Sequence, residues 1–319
     1  MTGATGSFGR RFLHTMHTRW SPRRLIVFSR DEQKQHELQL YYRGIDSIRY
    51  VIGDVRNLDR LRNAFSGVDV VVHAAAMKQI PTCETNAWEA MLTNVIGARN
   101  VILAAVDARV EWVMNLSTDK AVHPISVYGA TKLLGEKLFV EAAALRDGRA
   151  PRFSTVRYGN VLGTRGSVVP MFVRQRDEGV VTVTDSRMTR FWITRDEGVE
   201  FVIRCVERME GGEVFVPKAP SAGVMDLVAT IAPDCRIDYI GIREGEKLHE
   251  VLIAEDEARR TRELDDMFVI WPSSATTGNG RAGRALPDTF QYTSDGTARR
   301  LTRQELKDRL VESGDLPRI

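Results

Sequence analysis

Short apolar runs alternate with longer amphipathic stretches through the first half of the chain. Residues 25–28, 50–52, 70–73 and 112–116 each read as a brief buried strand, and each is followed by a polar or amphipathic segment. Such continuous apolar runs, rather than alternating ones, suit a parallel sheet covered by helices on both faces, where neither side of a strand meets water. Between the last two runs, Met91, Leu92, Val95, Val101, Ile102 and Ala105 recur at helical spacing and predict one long, well-buried helix over 88–106. After Phe153 the rhythm becomes irregular. Gly159, Gly163 and Gly166 mark turns, 196–209 predicts another amphipathic helix, and 213–216 reads as a strand.

The expected architecture is therefore α/β: a Rossmann-type doubly wound parallel sheet over residues 1–157, followed by a smaller C-terminal substrate lobe over 158–272 whose chain returns to the sheet. Residues 273–287 are rich in Gly, Ser, Thr and Arg without core-forming periodicity and predict a flexible linker. A tail over 288–319 holds a short helix near 303–310. In a sheet of this kind a glycine-rich turn follows directly on a first, central strand. Here only Met1 and Thr2 precede Gly3, so that strand is expected to be missing and the natural protein to start roughly ten residues upstream.

Composition narrows the function classes. The 319 residues carry a net charge of +3, from 45 Lys and Arg against 42 Asp and Glu, without a basic tract that would grip nucleic acid. Cys83, Cys205 and Cys235 are odd in number and far apart, which suits reduced thiols rather than a disulfide framework or a metal site. No apolar run reaches the roughly 18 residues of a membrane span, and no signal peptide opens the chain, so the expected location is the cytoplasm, with neither membrane nor nucleic acid as partner.

Candidate chemistry begins at the first residues. Gly3, Gly6 and Gly9, with Thr5, Ser7 and Phe8 among them, form a GxxGxxG pattern that lets the backbone turn tightly toward a pyrophosphate at a helix N-terminus. The strand over 25–28 ends in Ser29, Arg30 and Asp31, with Lys34 one turn on. An arginine there can pair with a 2′-phosphate, which favours NADP, while Asp31 leaves NAD open. Asp54 and Val55 follow the next strand, where a carboxylate can face the adenine amino group. Ala74, Ala75 and Ala76 supply small residues where the sheet edge passes the cofactor, and His73 reads as a packed core histidine. Further on, Thr118, Asp119 and Lys120 close a strand, and Tyr128 and Lys132 lie four residues apart on one helix face. The expectation is that the Lys132 ammonium holds the ribose hydroxyls and depresses the Tyr128 phenol, making it a usable base.

This Tyr–Lys pair resembles that of the short-chain dehydrogenase/reductase superfamily. The words at 77–81, 117–121, 157–161, 165–170, 188–192, 215–218 and 243–250 are similar to the inverting UDP-N-acetylglucosamine 4,6-dehydratases, over about nine-tenths of the chain. The resemblance implies an extended dehydrogenase/reductase fold, bound NADP, a UDP-amino sugar substrate and a homo-oligomer meeting through the helices at 88–106 and 126–145. It implies that Tyr128 assists C4 oxidation, Lys120 removes the C5 proton, Asp119 protonates the departing C6 hydroxyl and Thr118 hydrogen-bonds the C4 hydroxyl. Lys120 acts as a base only when neutral, and Lys132, the oxidised nicotinamide and exclusion of water are expected to push it that way. Retaining relatives carry an acid where Lys120 stands. For the substrate the resemblance points to Lys78 (which can also reach the cofactor), Tyr158, Asn160, Val168, Arg190, Arg243 and Glu246. Two other readings stand beside this one: an epimerase acting at C5, or C5 and C3, of the same sugar, and a non-catalytic NADP sensor. The tyrosine at 128 argues against the first, and the intact Tyr–Lys pair against the second.

Overall fold

The computed structural model describes residues 1–144, 151–164, 166–273 and 282–316. Five parallel strands form the first half of the main sheet: β1 Leu25–Ser29, β2 Ile48–Ile52, β3 Val70–His73, β4 Trp112–Thr118 and β5 Arg152–Tyr158. β1 pairs with β2, and β3 with β4 and then β5. Met1 and Thr2 run between β1 and β3: Phe28 N donates to Met1 O at 3.0 Å, and Thr2 N donates to Val72 O at 3.0 Å. Beside them lies a cavity of about 480 Å3, walled by Leu25, Ile26 and Val27 on one side and Val68, Val70 and Val72 on the other. Beyond β5 the chain returns to the sheet with Val214–Pro217, parallel, and then Met267–Ile270 and Thr261–Glu263, both antiparallel. The far edge of the sheet is thus mixed, which the irregular second half of the sequence did not reveal.

Side chains along β4 alternate between two cores, as strand geometry requires. Val113 faces a core with Leu61, Val101, Ala104, Phe139 and Phe153, whereas Met114 faces one with Phe12, Val199, Phe201 and Val202. The first core is covered by α3 Leu58–Phe65 and the helices Gly97–Asp107 and Val127–Ala144. The second is covered by α1 Ser7–Thr15 and the helix Arg195–Arg208. With helices on both faces, neither end of the alternation can be polar, hence the continuous apolar runs.

The helix expected over 88–106 is broken into Ala87–Met91, a π-helical turn Leu92–Ile96 and Gly97–Asp107. The π turn shifts the phase of the helix, so the apolar positions on its two sides do not share one face. Trp88 and Val106 are exposed, a correction to the well-buried helix of the sequence reading. Ala87–Asp107 is long and apolar enough to cross a membrane, unlike anything the run-length reading found, but half of it is buried within the domain against α3 and the helix Val127–Ala144.

A second body of core lies around Leu162, Phe172, Val181, Trp192, Leu227 and Ile231. The helix expected near 303–310 runs Arg303–Glu312 and buries Leu306 and Leu310 in this same core, so the C-terminal segment completes the lobe rather than trailing from it. Residues 274–281 of the expected linker lie outside the described residues.

One buried ionic cluster joins these parts. The Arg157 guanidinium donates to Glu136 Oε1 at 2.6 Å, to Glu257 Oε2 at 2.7 Å and to Leu252 O at 2.9 Å, tying the helix Val127–Ala144, β5 and the turn Glu255–Arg260 together.

Candidate active site

A cleft of about 580 Å3 opens at the carboxyl ends of β1 to β5, where a doubly wound sheet places its ligands. Its floor is the glycine turn. Gly3 adopts φ +66°, and a Cβ there would stand 2.7 Å from Ala75 N; a Cβ on Gly9 would stand 2.4 Å from Ala4 O. These two glycines let the turn lie against the sheet and α1. Gly6 differs: it is the N-cap of α1, and with no side chain it leaves the helix N-terminus open toward the cleft. Thr5, Ser7 and Phe8 line the same floor. A dinucleotide pyrophosphate fits this cradle, because backbone N–H groups and the positive end of the helix dipole face the cleft.

At the β1 end, Thr5 Oγ1 donates to Ser29 Oγ at 3.1 Å. Asp31 caps the helix α2 Glu32–Tyr41, accepting from Lys34 N at 3.0 Å, and forms an ion pair with the Lys34 ammonium. Arg30 is exposed at the cleft rim, 3.8 Å from Asp54. The Asp54 carboxylate lines the cleft with Val55, but Arg56 holds it at 2.7 and 3.0 Å. The carboxylate expected to face an adenine amino group is therefore already paired with Arg56. Ala74, Ala75, Ala76 and Lys78 form the adjoining wall. His73 is buried and hydrogen-bonded to Thr2 Oγ1 at 2.8 Å, and burial pushes its imidazole down to about 3, as a packed neutral histidine requires.

The opposite wall carries a cluster of hydroxyl and titratable side chains. β4 ends at Thr118, whose hydroxyl donates to Asp119 Oδ1 at 2.9 Å and accepts from Lys120 N, forming a 3-10 turn over Asp119–Ala121. The helix carrying Tyr128 starts against this turn: a Cβ on Gly129 would lie 2.2 Å from Lys120 O. That close approach brings Tyr128 into hydrogen-bonding reach of Thr118. Burial pushes the phenol up to about 12, while the Lys120 charge and the Thr118 hydrogen bond draw it back.

Two expectations need correction here. The cation that most lowers the phenol is Lys120 rather than Lys132. Lys132 Nζ donates to Leu116 O at 2.6 Å on β4, and burial lowers it to about 8 against the opposing pull of Glu136. Nor is Lys120 pushed toward the neutral form. Burial acts in that direction, but the adjacent Asp119 and Glu250 carboxylates outweigh it and hold the ammonium well above the usual lysine range.

Of the expected substrate groups, Tyr158 and Asn160 line the cleft. The Asn160 side-chain carbonyl accepts from Lys120 at 3.2 Å, and Tyr158 stacks near Phe8. Val168 opens the helix Val168–Asp177 behind Ser167, which lines the cleft. Arg190 does not offer a free cation there. It is buried and donates to the carbonyls of Thr189, Lys247 and Leu248 at 2.8, 2.9 and 3.0 Å. Arg243 and Glu246 stand outside the cleft lining, 4.0 Å from each other. Three groups were missed. Ser117 and Thr93 present buried hydroxyls without a hydrogen-bond partner along the cleft, and Glu250 reaches Lys120 from a point 130 residues away in the sequence. Glu250 ends the word at 243–250, but nothing local in that word indicates what it touches.

Comparison with known proteins agrees with the sequence resemblance. The chain is 43% identical to a UDP-N-acetylglucosamine 4,6-dehydratase (inverting) of Campylobacter jejuni, over 97% of this chain and 95% of that protein. A UDP-glucose 4-epimerase of Rickettsia conorii is 38% identical over 98% of this chain and 94% of its own. Among solved structures, Pen from Bacillus thuringiensis superposes with a TM-score of 0.92 at 36% identity, over 99% of this chain and 97% of that one. The family model described as polysaccharide biosynthesis protein matches residues 1–272, and with these relatives it shows that the chain belongs to that family.

Proposed function

We propose that this chain catalyses the NADP-dependent dehydration of UDP-N-acetylglucosamine across C4 and C6 with inversion at C5, giving a UDP-4-keto-6-deoxy amino sugar for surface glycan synthesis. The observation that carries this reading is the convergence of Thr118, Asp119, Lys120 and Tyr128 on one wall of a glycine-floored cleft. The likeness to the Campylobacter dehydratase supports it. A bound dinucleotide supplies a hydride acceptor and returns the hydride. The chain's own residues do the rest. Gly3, Gly6, Gly9, Thr5 and Ser7 hold the pyrophosphate, and Lys132 orients the ribose. Tyr128 and Thr118 face the C4 hydroxyl, Asp119 protonates the leaving C6 hydroxyl, and Lys120 takes the C5 proton. Residues 1–157 hold the cofactor in this reading, and residues 158–272 the UDP-sugar.

Arg30 and Lys34 place two cations at the ribose end while Asp31 is occupied by Lys34, which supports NADP over NAD. Trp88 on Ala87–Met91 and Leu134 on Val127–Ala144, both exposed, support a homo-oligomer meeting through these helices, and a cytoplasmic location belongs to the same reading.

The test is incubation of purified protein with UDP-N-acetylglucosamine and NMR of the product. A 4-keto-6-deoxy sugar with inverted C5 is the expected outcome. A C4 epimer with its C6 hydroxyl intact, or unchanged substrate, overturns the reading. Arg30→Ala is expected to weaken NADP binding more than NAD binding, and equal losses refute the cofactor preference.

A further inference from the structure

Lys120 sits between two carboxylates, only one of which is its neighbour in sequence. Glu250, 2% exposed, places Oε1 3.1 Å from Lys120 Nζ, and Asp119 Oδ1 lies 3.0 Å from the same nitrogen. The second oxygens of both carboxylates, Glu250 Oε2 and Asp119 Oδ2, are buried without a hydrogen-bond partner. A buried carboxylate is ordinarily satisfied on both oxygens, so this pair is kept incomplete at the place where the reaction is assigned.

The Glu250 backbone is fixed from two sides. Its N–H donates to Ser294 Oγ at 2.8 Å, and Ser294 N donates back to Glu250 O at 2.9 Å. Ser294 Oγ lies 2.7 Å from Thr189 Oγ1 on the strand Thr189–Ile193. Arg190, on the same strand, grips the carbonyls of Lys247 and Leu248 and brings its Nε to 3.7 Å from Glu250 Oε1. The charged groups facing Lys120 are therefore Asp119 on its own turn, Glu250 and Lys247 from the 243–250 segment and Arg190 from the strand, with the neutral Tyr128 phenol facing it from the helix.

We infer that Glu250 is a positioning residue: it fixes Lys120 Nζ at the reacting centre and is the partner that receives a proton from it before C5 is deprotonated. The inference rests on the dehydratase reading. One Nζ–H bond breaks and one Oε1–H bond forms, converting the ammonium–carboxylate pair to amine and carboxylic acid. The amine lone pair then takes the C5 proton, and the electrons of that C–H bond move toward the C4 ketone. Lys120 next passes a proton to the Asp119 carboxylate, which gives it to the C6 hydroxyl as that group leaves as water. Glu250 then returns its own proton to Lys120, so the C5 proton ends in the water and all three groups regain their starting state without an outside acid or base. Lys120 lies within hydrogen-bond distance of both carboxylates, as this relay requires.

The experiment uses NADP-bound protein with 15N-labelled lysine. The Lys120 Nζ signal is identified by its loss in Lys120→Arg. In the wild type it is expected to stay protonated above the usual lysine range, and in Glu250→Gln to titrate at least about one pH unit lower, a tenfold loss of proton affinity. With UDP-N-acetylglucosamine, Glu250→Gln is expected to lower kcat about 10²-fold, leave KM within about twofold and move the acid limb of the kcat–pH profile downward. Glu250→Asp, which keeps the charge, is expected to recover at least about tenfold of that loss. An unmoved Lys120 titration in Glu250→Gln, or an equal kcat loss in the Asp and Gln variants, overturns the inference. If Glu250→Gln does not fold, the Asp variant decides: loss of the high Lys120 titration despite the retained carboxylate overturns it. A wild type that forms no dehydrated sugar refutes the dehydratase reading instead, and the Lys120 titration is measured independently of that result.

Discussion

Two buried clusters in this molecule share one recipe, a single cation between two carboxylates, and differ in how completely they are satisfied. In the first, Arg157 directs its N–H groups at Glu136, Glu257 and the Leu252 carbonyl, with contacts of 2.6 to 3.2 Å, and is itself 1% exposed. In the second, Lys120 is partly exposed toward the cleft, and Asp119 and Glu250 each keep one oxygen unmet. The planar guanidinium saturates its partners and locks three segments; the compact ammonium leaves room for a substrate to complete the set. Completeness of hydrogen bonding separates the structural cluster from the one proposed to move protons more clearly than burial or charge does.

The comparison can be broken most directly at Arg157. Arg157→Ala leaves two buried carboxylates uncompensated and is expected to cost about 3–5 kcal/mol in chemical denaturation, with turnover per folded molecule changed little. The same cluster sets an acid limit. Arg157 holds Glu257 below the usual carboxylate range. Its contribution is thus fully present above the unfolded carboxylate pKa and is lost as pH falls through the lower folded value. Wild-type stability is expected to fall more steeply across that acid window than stability of Arg157→Ala. If the two fall in parallel, the cluster does not carry the acid sensitivity.

Asp119→Asn acts on the other cluster and is expected to reverse the pattern: kcat falls about 10²-fold, equal to about 2.7 kcal/mol of barrier, while the unfolding midpoint changes by less than that of Arg157→Ala. A large stability loss with normal kcat would erase the distinction. The smallest effect calibrates the scale. Glu37, paired with Arg10 at 2.6 Å on the surface, gains little from an ion pair in water, and Glu37→Ala is expected to shift stability by no more than about 1 kcal/mol.

The parts of the molecule legible in sequence are those whose causes are local. β1, β3 and β4 could be read because strands buried on both faces must be continuously apolar, whereas β2, with Arg49 and Ile52 exposed, showed only its apolar end over 50–52. The glycine turn and the Tyr128–Lys132 spacing could be read because a tight turn and one helical turn are short-range geometries. The π turn at Leu92–Ile96 escaped because it keeps helical composition and changes only the phase. The charge of Lys120 was misjudged because the cation Lys132 was weighed while the neighbouring Asp119 was read only as an acid, and Glu250, which adds to its pull, is near only in space. Arg190 itself read as a binding cation because nothing in its word reveals the three carbonyls it serves.

The return of the chain to its own sheet also bears on the order in which the protein can assemble as it leaves the ribosome. β1 to β5 and the glycine floor of the cleft come from residues 1–158 and are available early. The strand Val214–Pro217 joins β5 only later, and Glu250 reaches Lys120 later still. Arg157 waits for Glu257 across 100 residues, and Thr189 waits for Ser294 across 105. Domains fold from the N-terminus during synthesis, and loop closure over such distances comes late. A nascent chain can therefore shape its glycine-floored cradle well before it has the carboxylate that completes the Lys120 cluster, so the proposed proton relay is whole only after Glu250 has been made.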